Sequence, residues 1–178
     1  MSDLAFVTDG TFGVLFILAG IIDAGVNHCG NEGCLARNDV QAYNSLSIGT
    51  TTFQEGDVGE EIYFRRDTGI ASGPFQWIYG ASATSDGELW AGAGQAITYS
   101  TRNDRYYTQI HAMAGLYEQG GGVDLGGPVA FRTGIEFGYQ NRAGTRMAIS
   151  FDHRSNAGIY NLNPGLETVQ FRVSIPTK

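Results

Sequence analysis

From Leu46 onward the chain alternates, and that alternation limits its fold more than any other feature. Between positions 145 and 155 the odd residues are Thr145, Met147, Ile149, Phe151, His153 and Ser155, and the even ones are Arg146, Ala148, Ser150, Asp152 and Arg154. Between 167 and 175, Glu167, Val169, Phe171, Val173 and Ile175 alternate with Thr168, Gln170, Arg172 and Ser174. Successive side chains of a strand point to opposite faces, so each segment is a strand with one apolar and one polar face. The same period appears in Val129, Phe131, Ile135, Phe137 and Tyr139 against Arg132, Glu136 and Gln140. It recurs in Phe75, Trp77 and Tyr79, and in Tyr106, Ile110 and Leu116 against Gln109 and His111.

Eight such strands are expected: 46–53, 60–66, 74–83, 88–99, 105–117, 128–140, 145–155 and 167–175. The breaks carry turn chemistry, among them Glu55-Gly56-Asp57, Ser85-Asp86-Gly87, Thr101-Arg102-Asn103-Asp104 and Asn141-Arg142-Ala143-Gly144. The 26 glycines, 9 tyrosines and 10 phenylalanines suit strands and tight turns rather than helices. Several strands reach the roughly 9–11 residues that a tilted membrane-spanning strand needs. Alternation alone fits two barrels: a soluble, lipocalin-like carrier with its apolar face inward, or a membrane barrel with a polar lumen. His153, Ser155 and Glu167 stand on the apolar faces, which favours the membrane barrel, because there they would meet a lipid substrate.

Residues 1–44 read as a separate N-terminal extension, ahead of a barrel domain at 45–178. The stretch 12–22 is apolar throughout and fits a short buried helix or a continuous apolar strand. Asp3 and Asp9 precede it and no Lys or Arg does, so it does not read as a secretory signal, and export is expected to be signalled otherwise or already processed. Cys29 and Cys34 lie in a Gly/Asn-rich loop. A disulfide in an oxidising compartment leads, against two free thiols or a metal site with His28 that lacks a fourth ligand. The net charge of -7, with no Lys/Arg run, argues against nucleic acid as a partner.

The chemistry is concentrated in the last strand pair. A serine attacks an ester when a neighbouring base takes its proton and a third group fixes the base's tautomer. Ser155 is the candidate nucleophile, His153 the base and Glu167 the orienting carboxylate. Residues i and i+2 of a strand share a face about 6–7 Å apart. Opposite residues of a hairpin share a face too, which brings Glu167 within reach. Asn156 and the Gly158 amide, just past the serine, are candidate oxyanion donors. His111, on the polar face, is expected to be a lumen residue with a hydrogen-bond partner. His-x-Ser alone carries little weight.

The longer string His153-x-Ser155-Asn156-Ala157-Gly158, then Asn163-Pro164-Gly165-x-Glu167, resembles the C-terminal signature of the lipid A 3-O-deacylases, the PagL-type, acyloxyacyl-hydrolase-like outer-membrane enzymes. The resemblance covers about 127–176. It implies an all-β, eight-stranded antiparallel up-and-down transmembrane barrel in the bacterial outer membrane, with its active site on the lipid-facing wall. It also implies a serine esterase that removes the ester-linked 3-hydroxyacyl chain at the 3-position of lipid A, with a His153–Ser155–Glu167 triad and no metal or cofactor. The expected partners are lipopolysaccharide and membrane lipids, with a homodimer or protein partner through 1–44 as a further expectation. The rival reading is a silent barrel serving as an accessory subunit of a membrane assembly.

Overall fold

The structure is a computed structural model that describes residues 11–53 and 56–177. Asp3, Asp9 and Glu55 therefore lie outside the described residues. The element order is a helix α1 (Thr11–Asp23) continued by a π-helical turn (Ala24–His28), then β1 (Arg37–Asp39), β2 (Ala42–Phe53), β3 (Gly56–Ser72), β4 (Phe75–Thr84), β5 (Leu89–Ser100), β6 (Tyr106–Glu118), β7 (Val129–Gln140), β8 (Arg146–Ser155) and β9 (Leu166–Thr177). Strands β2 to β9 pair antiparallel with their neighbours in sequence. β2 also pairs with β9, and this closes an eight-stranded barrel.

The barrel is polar inside and apolar outside. Along β8 the even residues Ala148, Ser150, Asp152 and Arg154 are buried, while Ile149 is 63% exposed on the outer wall. On β9, Thr168, Gln170, Arg172 and Ser174 point inward and Val169, Phe171 and Ile175 outward. This inversion rules out a lipocalin-like carrier, whose apolar faces would line the interior.

Closure without a free edge needs a lumen filled by its own side chains. Here Arg65, Arg132, Arg154 and Arg172 face Glu61, Asp67, Glu136 and Asp152, all buried. Arg132 donates to Asp152 at 2.7 Å and to Glu61 at 2.9 Å, and stacks over Tyr63 at 3.9 Å. Arg154 meets Glu61 at 2.9 Å, Arg65 meets Asp67 at 2.7 Å, and Arg172 pairs with Glu136. The match of sign keeps each buried charge paired, without which burial would cost several kcal/mol per ion. Towards one end of the lumen the filling turns apolar, with Tyr63, Trp90, Met113, Leu125 and Leu166. His111 is fully buried in the lumen, but the expected hydrogen bond is absent. Among the described residues both its ring nitrogens lack one, and Asp152 Oδ1 is 3.8 Å away.

Two sequence expectations change outside the regular strands. β3 continues past Arg66 to Ser72, through an irregularity between Asp67 and Ala71, and its extra length pairs with β1. The apolar stretch is a helix, and it is not buried in a core. α1 lies on the outside of the barrel, with Phe12 against Phe151 (5.7 Å between ring centroids) and Phe16 against Phe75 (5.6 Å). Gly20 lets the helix backbone approach, since a Cβ there would lie 2.3 Å from the Phe75 ring. Val14, Leu15, Ile17, Leu18, Ile21 and Ile22 remain exposed on its other side. The Cys29–Cys34 disulfide closes a loop beside the β3–β4 turn, where Gly73 N donates to Ala36 O.

Candidate active site

The β8–β9 register brings the candidate residues together. His153 pairs directly with Glu167 across the two strands, and both point to the outer wall. His153 Nδ1 and Glu167 Oε1 are 3.1 Å apart, with the histidine side chain 8% and the glutamate side chain 21% exposed. A carboxylate on Nδ1 selects the tautomer with its proton there and leaves Nε2 as the basic nitrogen. Ser155, the last residue of β8, is two positions along the same face, opposite Phe131 of β7. Among the described residues no hydrogen bond joins Ser155 to His153. Such contacts commonly tighten only when substrate is bound.

The lumen holds this strand from behind. Asp152 and Arg154, on either side of His153, are tied to Arg132 and Glu61, and Arg154 also donates to Thr168 at 3.2 Å. The backbone at 152–154 is therefore pinned inward on both sides, which fixes His153 outward.

The loop 156–165 is knotted around Asn156. Its Nδ2 donates to the carbonyls of Leu125 and Leu162, and its Oδ1 accepts the Gly158 N–H at 2.8 Å. Its own N–H reaches Asn163 Oδ1 at 2.9 Å, and its carbonyl accepts Ile159 N–H at 3.1 Å. Ala157 (φ 53) and Gly158 (φ 77) are both left-handed, as the two central positions of a primed turn require. For Ala157 that is a strained conformation, placed two residues after the candidate nucleophile. Both candidate oxyanion donors are thus engaged, Asn156 Nδ2 by the Leu125 and Leu162 carbonyls and the Gly158 N–H within the turn.

Gly165, which the signature string contains without assigning it a role, is part of the site, and Pro164-Gly165 is an open turn signal. It has φ 75, and a Cβ there would lie 2.8 Å from His153 Cε1. The absence of a side chain is what lets the loop return to β9 over the imidazole. Thr133, opposite His153 on β7, lies under the first turn of α1, 3.8 Å from where a Cβ on Gly13 would be. Among the described residues no group of His, Cys, Asp or Glu could hold a metal ion.

The sequence profile described as Lipid A 3-O-deacylase (PagL) matches residues 58–176. The crystal structure of the outer membrane enzyme PagL superposes with a TM-score of 0.60 at 20% identity, covering 76% of this chain and 99% of that one. A de novo designed transmembrane β-barrel gives 0.58 at 8% identity, over 79% and 98%. Neisserial surface protein A gives 0.52 at 11%, over 80% and 99%. At these identities the three structures speak for the fold. The sequence matches no curated protein.

Proposed function

Because this chain belongs to the lipid A 3-O-deacylase family, we propose that Ser155, His153 and Glu167 are the catalytic triad with which it deacylates lipid A in the bacterial outer membrane. The observation that carries the triad is the cross-strand His153–Glu167 hydrogen bond on the lipid-facing wall, with Ser155 next along that face. The longer connections, 119–128 and 156–165, lie at one end, as do extracellular loops in such barrels, and put Ser155 at the end where lipopolysaccharide resides. The disulfide loop lies at the opposite, periplasmic end, in an oxidising compartment.

His153 Nε2 takes the Ser155 proton as Oγ attacks the carbonyl carbon of the 3-linked acyl ester. The C–O bond to the sugar breaks, and His153 returns the proton to the departing sugar oxygen. Water then attacks the acyl-enzyme, giving its proton to His153, and the fatty acid leaves as Ser155 is restored. Glu167 holds the imidazole and offsets its charge at each protonation. No step calls for a metal or cofactor. We assign oxyanion stabilisation to the Asn156–Gly158 turn. Both donors are engaged in the free protein, so their hydrogen bonds to Leu125, Leu162 and Asn156 Oδ1 must give way as the substrate carbonyl arrives.

We read 45–178 as the catalytic barrel and 1–44 as an appended segment that lends its last residues to β2. The exposed aliphatic face of α1, which a second copy or a protein partner docking through 1–44 could use, in this reading meets lipid. A lipid-like fluorophosphonate tests the nucleophile. It should add its mass to the peptide containing Ser155 and leave a Ser155→Ala variant unlabelled. Labelling elsewhere, with Ser155 unmodified, refutes the assignment.

A further inference from the structure

The outer wall is not equally open on the two sides of His153. Registered across the barrel, Phe151, Ile135, Ile110, Ile97 and Phe75 form one outward row on β8 to β4. α1 lies over this row, and Ile97, although it points outward, is only 1% exposed. Phe12 anchors the helix's first turn on Phe151, one strand step below His153, and Gly20 seats its far end on Phe75 and Ile97. On the other side no element among the described residues lies over the wall. Val169 pairs with Phe151, Phe171 with Ile149 and with Ile48 of β2, and Val169, Phe171 and Ile48 are 50%, 48% and 60% exposed.

An acyl chain whose carbonyl sits at Ser155 must lay its tail along this wall, because the lumen is filled with charged side chains. From Ser155 to Ile149 is about 20 Å of strand, the scale of a long fatty acyl chain. Towards β7 that path runs into the end of α1. Towards β9, past Glu167, it is open and lined by Val169, Phe171 and Ile48.

From this asymmetry, and building on the triad assigned above, we infer that α1 is the side wall of the acyl-chain site: it closes the β7 side next to His153 and confines the substrate's acyl tail to the strip formed by β8, β9 and β2. α1 lies in the part of the chain that the family profile leaves unmatched. Phe12 is then a specificity-determining residue acting through the position of the helix, while Val169 and Phe171 touch the tail.

The test uses the full chain in detergent with p-nitrophenyl myristate and p-nitrophenyl butyrate. Val169→Trp, which fills the strip beside Phe151, should lower the myristate-to-butyrate ratio of kcat/KM about tenfold, the scale on which apolar pockets discriminate chains. Adding Phe12→Ala, or independently Gly20→Leu, lifts the helix and should restore most of that ratio by opening the β7 side. An unchanged ratio in folded Val169→Trp overturns the strip as the path of the tail. A lowered ratio that neither helix variant restores overturns α1 as the wall. A wild type inactive on butyrate as well as myristate would instead overturn the esterase reading, and this inference with it.

Discussion

Gly165→Ala isolates the packing that holds His153, the proposed catalytic base. At φ 75 an alanine adopts a left-handed conformation, which costs about 1–2 kcal/mol. Its Cβ would lie 2.8 Å from His153 Cε1. Restoring an ordinary contact of at least 3.4 Å requires a relative movement of about 0.6 Å. The lumen pins β8 behind His153, so the imidazole ring moves rather than the strand. A catalytic group displaced on the scale of 1 Å loses about 100-fold in rate, so a loss of roughly 10- to 100-fold in kcat is expected, in a protein that still folds. Gly87→Ala is the matched control. Its φ is 85, but a Cβ there meets nothing closer than 3.9 Å, so it carries the backbone cost without touching the imidazole. Ester hydrolysis measured beside the urea midpoint of each variant in detergent separates the two effects. Equal midpoints with Gly165→Ala tenfold or more slower than Gly87→Ala support the reasoning. Equal rates in the two variants refute it, because the imidazole would then not depend on the Gly165 contact.

Glu167→Gln should lower kcat by about 100- to 10,000-fold with little change in stability, since it replaces the carboxylate with an amide whose N–H can donate to His153 Nδ1 and favour the wrong tautomer; a loss below threefold in steady-state hydrolysis would remove Glu167 from the proposed triad. Arg132→Met leaves Glu61 and Asp152 without their shared guanidinium and should destabilise the barrel by about 3–5 kcal/mol, read as a lowered urea midpoint. An unchanged midpoint would show that the lumen pairs do not hold the wall. On the outer face, Ile149→Lys should cost about 2–4 kcal/mol in the equilibrium of folding into lipid vesicles. No cost there would contradict the placement of β8 against lipid.

What the sequence revealed and what it hid divide along the range of the interactions. Strand positions and faces were readable because alternation is local: Met147, Ile149 and Phe151 could be placed outward without knowing their neighbours. The shared face of His153, Ser155 and Glu167, the proposed triad, follows from the same parity, and the His153–Glu167 register only needed the pairing of β8 with β9. The extension of β3 to Ser72 was hidden because Asp67-Thr68-Gly69 resembles a turn, whereas the chain passes it as an irregularity held by pairing with β1 and β4 and by hydrogen bonds from Gln76 and Val40. α1 carried no period because it is apolar all round, one side for the barrel and the other for lipid, so helix and strand could not be told apart. The hydrogen bonds of Asn156 to Leu125 and Leu162 depend on loops folding together, and nothing next to Asn156 in the sequence announces them. His111 was correctly placed in the lumen by parity, but its missing partner is a matter of three-dimensional packing.

Mass spectrometry of lipid A incubated with the detergent-solubilised protein, beside Ser155→Ala, decides whether Ser155 deacylates lipid A. With the wild type one 3-hydroxyacyl chain should be lost from the 3-position, and with the variant lipid A should stay intact. Intact lipid A with both, from folded barrels and across several lipid A types, would contradict that role, as would equal deacylation by Ser155→Ala.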